Sequence, residues 1–298
     1  MLILKPLSKE TIWGGDRLHS FCGDKAINNL GQLYTVIAEK GYSNEIINGE
    51  FKGKTLYEIY KDNRDLFTYD KYEDFPLIIG FVDAKENLSL QIHPTDEFAK
   101  MYENKPFGKN ESWIFIETPN EGYIYNGCKL NKIEEILDKV NKDKWSEIID
   151  TLNVKKGDYV YVESGTFHAL TTGSLVYEIQ QSTNLTYRFY DYGRVNDKGI
   201  ARELHIDKAL KVLDPLKKSK AVDTKDMKKF NEKYYSTEIF NLKESYRNIY
   251  KSFICITIME GEVRINNKVM QKGMSVILFK DEELKVKGEA LVVVAYPI

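Results

Sequence analysis

The chain has 298 residues, with 43 Lys plus Arg against 45 Asp plus Glu and a formal net charge of −2. That length allows one large domain or two modest ones, each able to bury its own core without help from a metal or a disulfide. The balanced charge argues against a nucleic acid or an anionic membrane as partner, because a binder of phosphate backbones carries a basic excess, so any anion bound here is expected to be small.

The opening MLILKPLSKETIWGG stops being apolar at Lys5 and is followed by no small-residue cleavage site, so it does not read as a secretory signal, and no run approaches the roughly 20 apolar residues of a membrane span. Cys22, Cys128 and Cys255 are widely spaced and outside any C-x-x-C pairing, which suits reduced thiols in a cytoplasmic protein. Short alternating runs read as strands: PLIIGFVD (76–83), NLSLQIH (87–93), SWIFIE (112–117), YVYVE (159–163), LVYEIQQ (175–181) and ALVVVAY (290–296). Between them, the segment 131–152 places Ile133, Ile136, Leu137, Val140, Trp145, Ile148 and Ile149 at spacings of three and four, the pattern of one or two amphipathic helices. RELHIDKALKVL (202–213) is a second helical candidate, and the Lys-rich stretch 215–232 reads as a solvated connector. KKGDYVYVES (155–164) and QKGMSVILFK (271–280) form a weak repeat, a lysine-glycine turn followed by a strand; the first copy runs on to a histidine and the second does not.

Four histidines are present. Gln91 and His93 stand two apart on a strand and so share a face. Glu111 opens the next apolar strand, with Lys109 two residues before it, and His168 follows the Ser164-Gly165 turn. Two imidazoles and a carboxylate are strong donors for a divalent ion, and the amide of Gln91 would be a weaker fourth. Glu178 lies inside a strand, and Arg188 follows a polar turn with a fork suited to phosphate or an oxyanion. Trp13-Gly14-Gly15 suits a tight turn that brings an indole to a cleft, His19 and His205 read as structural, and no phosphate loop or dinucleotide fingerprint occurs.

Taken in order, IWGG, NGEFKGKTLYEIY, FPLIIGFVDAKENLSLQIHPTDEFA, GKNESW, KKGDYVYVESGTFHAL, EIQQSTNLTYRFYDYGR and RELH resemble the type I phosphomannose isomerases, metal-dependent members of the cupin superfamily, and their short bacterial branch in particular. The resemblance spans nearly the whole chain. It implies a mainly β, cupin-type sandwich or barrel (jelly roll) and one zinc ion per chain, held by Gln91, His93, Glu111 and His168. It implies a sugar phosphate as the small-molecule partner and interconversion of mannose 6-phosphate and fructose 6-phosphate through a cis-enediol(ate), with Arg188 and Lys109 implicated in substrate binding or catalysis; the reading of the residues adds Glu178 to this catalytic set and leaves the identity of the base open. Trp13, Lys109 and Arg188 would contact substrate.

Three positions depart from the family pattern. Gly31-Gln32-Leu33-Tyr34 replaces G-E-x-W, and Gly80 stands where a lysine is usual. A metal-bearing sugar-phosphate binder of weak or no activity, and a non-haem iron oxygenase on His93, His168 and Glu111, are therefore carried as alternatives. The expected organisation is a metal-bearing domain over 1–214, with the helical insertion near 131–152, and a smaller metal-free β domain over 215–298; the sequence does not give the oligomeric state.

Overall fold

The computed structural model of the protein describes residues 1–298 except 197, 266 and 267. The chain is mainly β. Packing divides it into two compact units that interleave along the sequence: Met1–Glu10, Asp16–Phe81 and Thr224–Ile298 form the first, and Thr11–Gly15 with Val82–Asp223 form the second. The sequence reading cuts the chain once, at 214/215. The interleaving arises because Leu2–Leu4 pairs with Ser275–Leu278, so the two ends of the chain share a sheet.

In the first unit that sheet runs on from Ser275–Leu278 through Ile254–Ile265 and Lys287–Pro297 to Tyr235–Leu242 and Lys229–Asn231. Its buried face is aliphatic, built on Ile254, Ile256, Ile258, Val276, Leu278, Val292 and Val294, and Leu284 of the separate two-stranded sheet joins the same cluster. Elsewhere in this unit Gly80 has no room for a side chain, since a Cβ there would lie 2.6 Å from the Leu33 carbonyl oxygen. Near it, the Tyr34 hydroxyl donates to Gln32 Oε1 at 2.7 Å and accepts from Lys9 Nζ at 3.3 Å.

The second unit draws on two sheets. One orders Ile149–Asn153, Tyr123–Cys128, His168–Ala169, Leu90–Ile92 and Tyr187–Tyr190. In the other, Asp158–Val162 lies between Ala221–Asp223 and Glu111–Glu117, which pairs with Leu175–Gln181. Period-two alternation then sorts the side chains. Leu90, Ile92, Phe167, Ala169, Tyr187 and Phe189 pack with Ile136, Val140 and Ile148 of the helical insertion. The residues between them, Gln91, His168 and Arg188, project from the opposite face, where Trp113, Val160 and Val176 of the second sheet share a core with Ile124. These sheets are open rather than closed into a barrel, so of the two expected forms the sandwich is the one found.

The insertion forms helices at Ile133–Asn141 and Trp145–Ile148, but 149–152 belongs to a strand, because Ile149–Asn153 has Tyr123–Cys128 to pair with. The second helix covers only Ile206–Val212. Leu204 precedes it and is exposed. The stretch 215–232 is more than a connector, since Ala221–Asp223 and Lys229–Asn231 both enter sheets.

Candidate functional site

Register builds the site. Gln91 is the cross-strand partner of His168 on one side and of Arg188 on the other, so the three form a row on one face of the first sheet. His93 follows Ile92 at the strand end, two residues beyond Gln91. From the other sheet, Glu111 pairs with Gln180 and Trp113 with Glu178, which places Glu111 and Glu178 on one face. His93, Glu111 and His168 meet there, each almost fully buried, with one donor atom apiece within 4.8 Å of the others.

The histidine tautomers follow from their outer hydrogen bonds. His93 Nδ1 lies 2.8 Å from the Leu185 carbonyl oxygen and His168 Nδ1 lies 2.9 Å from that of Thr166. A carbonyl only accepts, so both Nδ1 atoms carry the proton and both Nε2 atoms present a lone pair. Those lone pairs face a carboxylate: His93 Nε2 is 3.5 Å from Glu111 Oε2, and His168 Nε2 is 3.1 Å from Glu111 Oε1. Acceptors facing acceptors in a buried site repel unless a cation sits among them. Among the described residues, His93 Nε2 and both Glu111 oxygens lack a hydrogen-bond partner of acceptable geometry. This donor set therefore fits a divalent ion, and the carbonyls on Nδ1 are the outer partners that orient metal-ligating imidazoles.

Lys109 supplies one positive charge, with Nζ 2.7 Å from Glu111 Oε2. Burial, together with the Lys109 charge, lowers His93 to about 3, which keeps the ring neutral. Burial is the largest single influence on Glu111 and works against its ionisation, yet the Lys109 ammonium and the two facing histidines together outweigh it and hold the carboxyl well below its usual range. Lys109 is itself raised: burial opposes its charge, but the carboxylates of Glu111 and Glu178 prevail. Glu178 moves upward through burial, to which the negative charge of Glu111 adds; the Lys109 ammonium, and after it the Trp113 indole donating to Glu178 Oε1 at 3.0 Å, oppose the shift only in part.

Gln91 stands beside the trio. Its amide nitrogen is 3.4 Å from His168 Nε2, and its oxygen accepts from Ser89 Oγ at 3.2 Å. Arg188 has a buried Nε without a hydrogen-bond partner, and its pKa is lowered by burial and by nearby Arg202. Trp13 is buried in the apolar cluster that holds Trp113 and Val82. The sequence pattern alone does not single out Trp113, Asn110 or Gln181. Trp113 is within its reach, since it sits two residues beyond Glu111 and so on the same face.

A mainly β sandwich with a buried two-histidine, one-carboxylate trio defines a cupin-type protein with a site built to accept a metal ion. Residues 1–112 match the family model described as phosphomannose isomerase type I, catalytic domain. The chain is 34% identical over 281 residues to the probable mannose-6-phosphate isomerase GmuF of Bacillus subtilis, covering 91% of this chain and 89% of that protein. It is likewise 34% identical over 273 residues to the mannose-6-phosphate isomerase ManA of the same organism, covering 89% and 87%. The crystal structure of the Bacillus subtilis mannose 6-phosphate isomerase superposes with a TM-score of 0.88 at 29% identity, covering 99% of each chain. The chain belongs to the type I phosphomannose isomerase family, and it is an isomerase.

Proposed function

We propose that the protein is a zinc-dependent aldose-ketose isomerase interconverting mannose 6-phosphate and fructose 6-phosphate through a cis-enediol(ate). The observation that carries the metal in this reading is the pair of Nε2 lone pairs turned onto a buried carboxylate whose cationic neighbour is Lys109, leaving Glu111 Oε1 and His93 Nε2 without a hydrogen bond among the described residues. His93, Glu111 and His168 would hold the ion. Gln91 would join them by turning its oxygen inward, giving up the Ser89 contact. A bound zinc ion supplies Lewis-acid polarisation of the sugar oxygens.

The remaining chemistry is assigned to the chain's own residues. The reaction moves a proton between C2 and C1, so it needs a group that both accepts and returns one. Glu178, a buried carboxyl on the same face as Glu111 whose pKa is raised by burial, is the assigned proton handler. Lys109, held cationic between Glu111 and Glu178, donates hydrogen bonds to sugar oxygens as negative charge develops. Arg188, with a buried and unsatisfied Nε, binds the phosphate or an oxyanion. Trp13 contributes apolar wall to the substrate site through the cluster it shares with Trp113. We place the reaction in the cytoplasm, in keeping with three unpaired thiols; among the described residues, no helix is long and apolar enough to cross a membrane.

The test is a coupled assay of fructose 6-phosphate formed from mannose 6-phosphate, before chelation, after it, and after zinc is restored. Turnover is expected to vanish with the metal and return with zinc. Turnover indifferent to chelation overturns the metal's role, and no turnover by metal-loaded protein overturns the substrate.

A further inference from the structure

Asn110 lies between Lys109 and Glu111, just ahead of the strand Glu111–Glu117, and while those two side chains pair with each other its own turns to Gln181 and Tyr161. It is fully buried and heavily bonded. Its Nδ2 donates to Gln181 Oε1 at 2.6 Å and its backbone N–H to the same oxygen at 3.0 Å, while its carbonyl accepts from the Gln181 N–H at 3.1 Å. Its Oδ1 accepts from the Ser164 N–H at 3.0 Å and from the Tyr161 hydroxyl at 3.1 Å. Gln181 Nε2 in turn donates to Asp96 Oδ1 at 3.0 Å, which also receives the Gly108 N–H at 2.8 Å. A Cβ on Gly108 would lie 2.3 Å from the Thr95 carbonyl carbon, so the chain here is pressed against the segment that leaves His93.

The four segments joined in this way are those that carry the site: 93–96 begins with His93, 108–111 holds Lys109 and Glu111, 161–164 leads into His168, and 178–181 begins with Glu178. A surface role for these polar side chains is excluded by their burial, and a purely apolar core would hold the same strands without fixing their relative placement to hydrogen-bond tolerance. We propose that Asn110 and Gln181, anchored on Asp96, are positioning residues that set the spacing of Glu111 and Lys109 against His93 and His168. This rests on the reading of His93, Glu111 and His168 as metal ligands.

Gln181 is the place to test it, because its amide must accept from Asn110 and donate to Asp96 at once. Gln181→Glu keeps the shape and removes the donor, setting a carboxylate against Asp96. Zinc affinity of the folded protein is measured by competition with a chromophoric chelator across pH 6 to 8, beside the melting temperature and the separate kcat and KM for mannose 6-phosphate. Zinc affinity is expected to fall about 10- to 100-fold, the usual effect of losing an outer partner of a metal site, with kcat lowered more than KM. The deficit relative to wild type should narrow as the pH falls, because protonation of the introduced carboxyl restores the missing donor. Asp96→Asn, which keeps the accepting oxygen, should behave nearly as wild type. A folded Gln181→Glu protein with wild-type zinc affinity at every pH overturns the proposal, even if its melting temperature drops. If Gln181→Glu does not fold, Gln181→Met takes its place, and wild-type zinc affinity in that variant overturns the proposal in the same way. Wild-type protein that binds no zinc at His93, Glu111 and His168 overturns both this inference and the reading beneath it.

Discussion

The two copies of the lysine-glycine turn end differently. In the first, the turn at Gly157 leads into Asp158–Val162 and on to His168, eleven residues after the glycine. In the second, the turn at Gly273 leads into Ser275–Leu278, and the residue at the same distance is Leu284. Both side chains are about 1% exposed, yet Leu284 sits among Ile254, Val276 and Val292, whereas His168 faces Glu111 and needs Thr166 to orient it. An aliphatic end point is satisfied by burial alone. A functional one leaves polar atoms unsatisfied, and other hydrogen bonds must hold them in place.

Exchanging the end points tests that contrast most severely. His168→Leu should leave a folded protein with the same strand content by circular dichroism, yet lose zinc in metal analysis and lose isomerase activity by on the order of a thousand-fold or more, since several kcal/mol of metal-derived stabilisation go with the ligand. Retained zinc and activity would mean that the trio is not the metal site. The reverse change, Leu284→His, places an imidazole in an aliphatic core with no partner prepared for it. It should cost about 3 kcal/mol in denaturant unfolding, while the ligands of the other unit keep their zinc. A smaller effect is expected at Gly80, where Gly80→Lys restores the residue usual in the family. Its Cβ must push against the Leu33 carbonyl, and overpacking of this kind costs about 1–3 kcal/mol, read as a lowered unfolding midpoint with no gain in kcat. An unchanged midpoint would show that the two strands part easily and that the lysine is absent for another reason.

Gln91 and His93 are legible in the sequence because a strand puts alternate residues on one face, and Glu111 and His168 because polar donors next to apolar strands stand out. The strand at 175–181 matches its alternating pattern to the residue. The bonding of Asn110, Gln181 and Asp96 is not legible, since amides and an acid in NES, QQS and TDE look the same whether they face water or one another. Only the fold, which brings residue 96 within a hydrogen bond of residue 181, distinguishes the two cases. The helix at Ile206–Val212 begins later than its apolar pattern suggests because the His205 N–H is already used by the Arg188 carbonyl. The interleaved units are hidden for a similar reason: the partner of Leu2–Leu4 lies at the far end of the chain, and no local pattern announces it.

The pairing of Leu2–Leu4 with a strand as distant in sequence as Ser275–Leu278 has a consequence for synthesis. While the chain emerges from the ribosome, the segment 82–223 carries the strands that bear the site and can collapse around them, whereas residues 2–4 must wait without their partner until 275–278 has been translated. The unit with His93, Glu111 and His168 can thus gather before that pairing forms, and joining residues 2–4 to 275–278 is the high-contact-order step. A nascent chain stalled short of residue 275 would have the site residues in place and an edge strand still open, and that interval is when the protein is most exposed to aggregation.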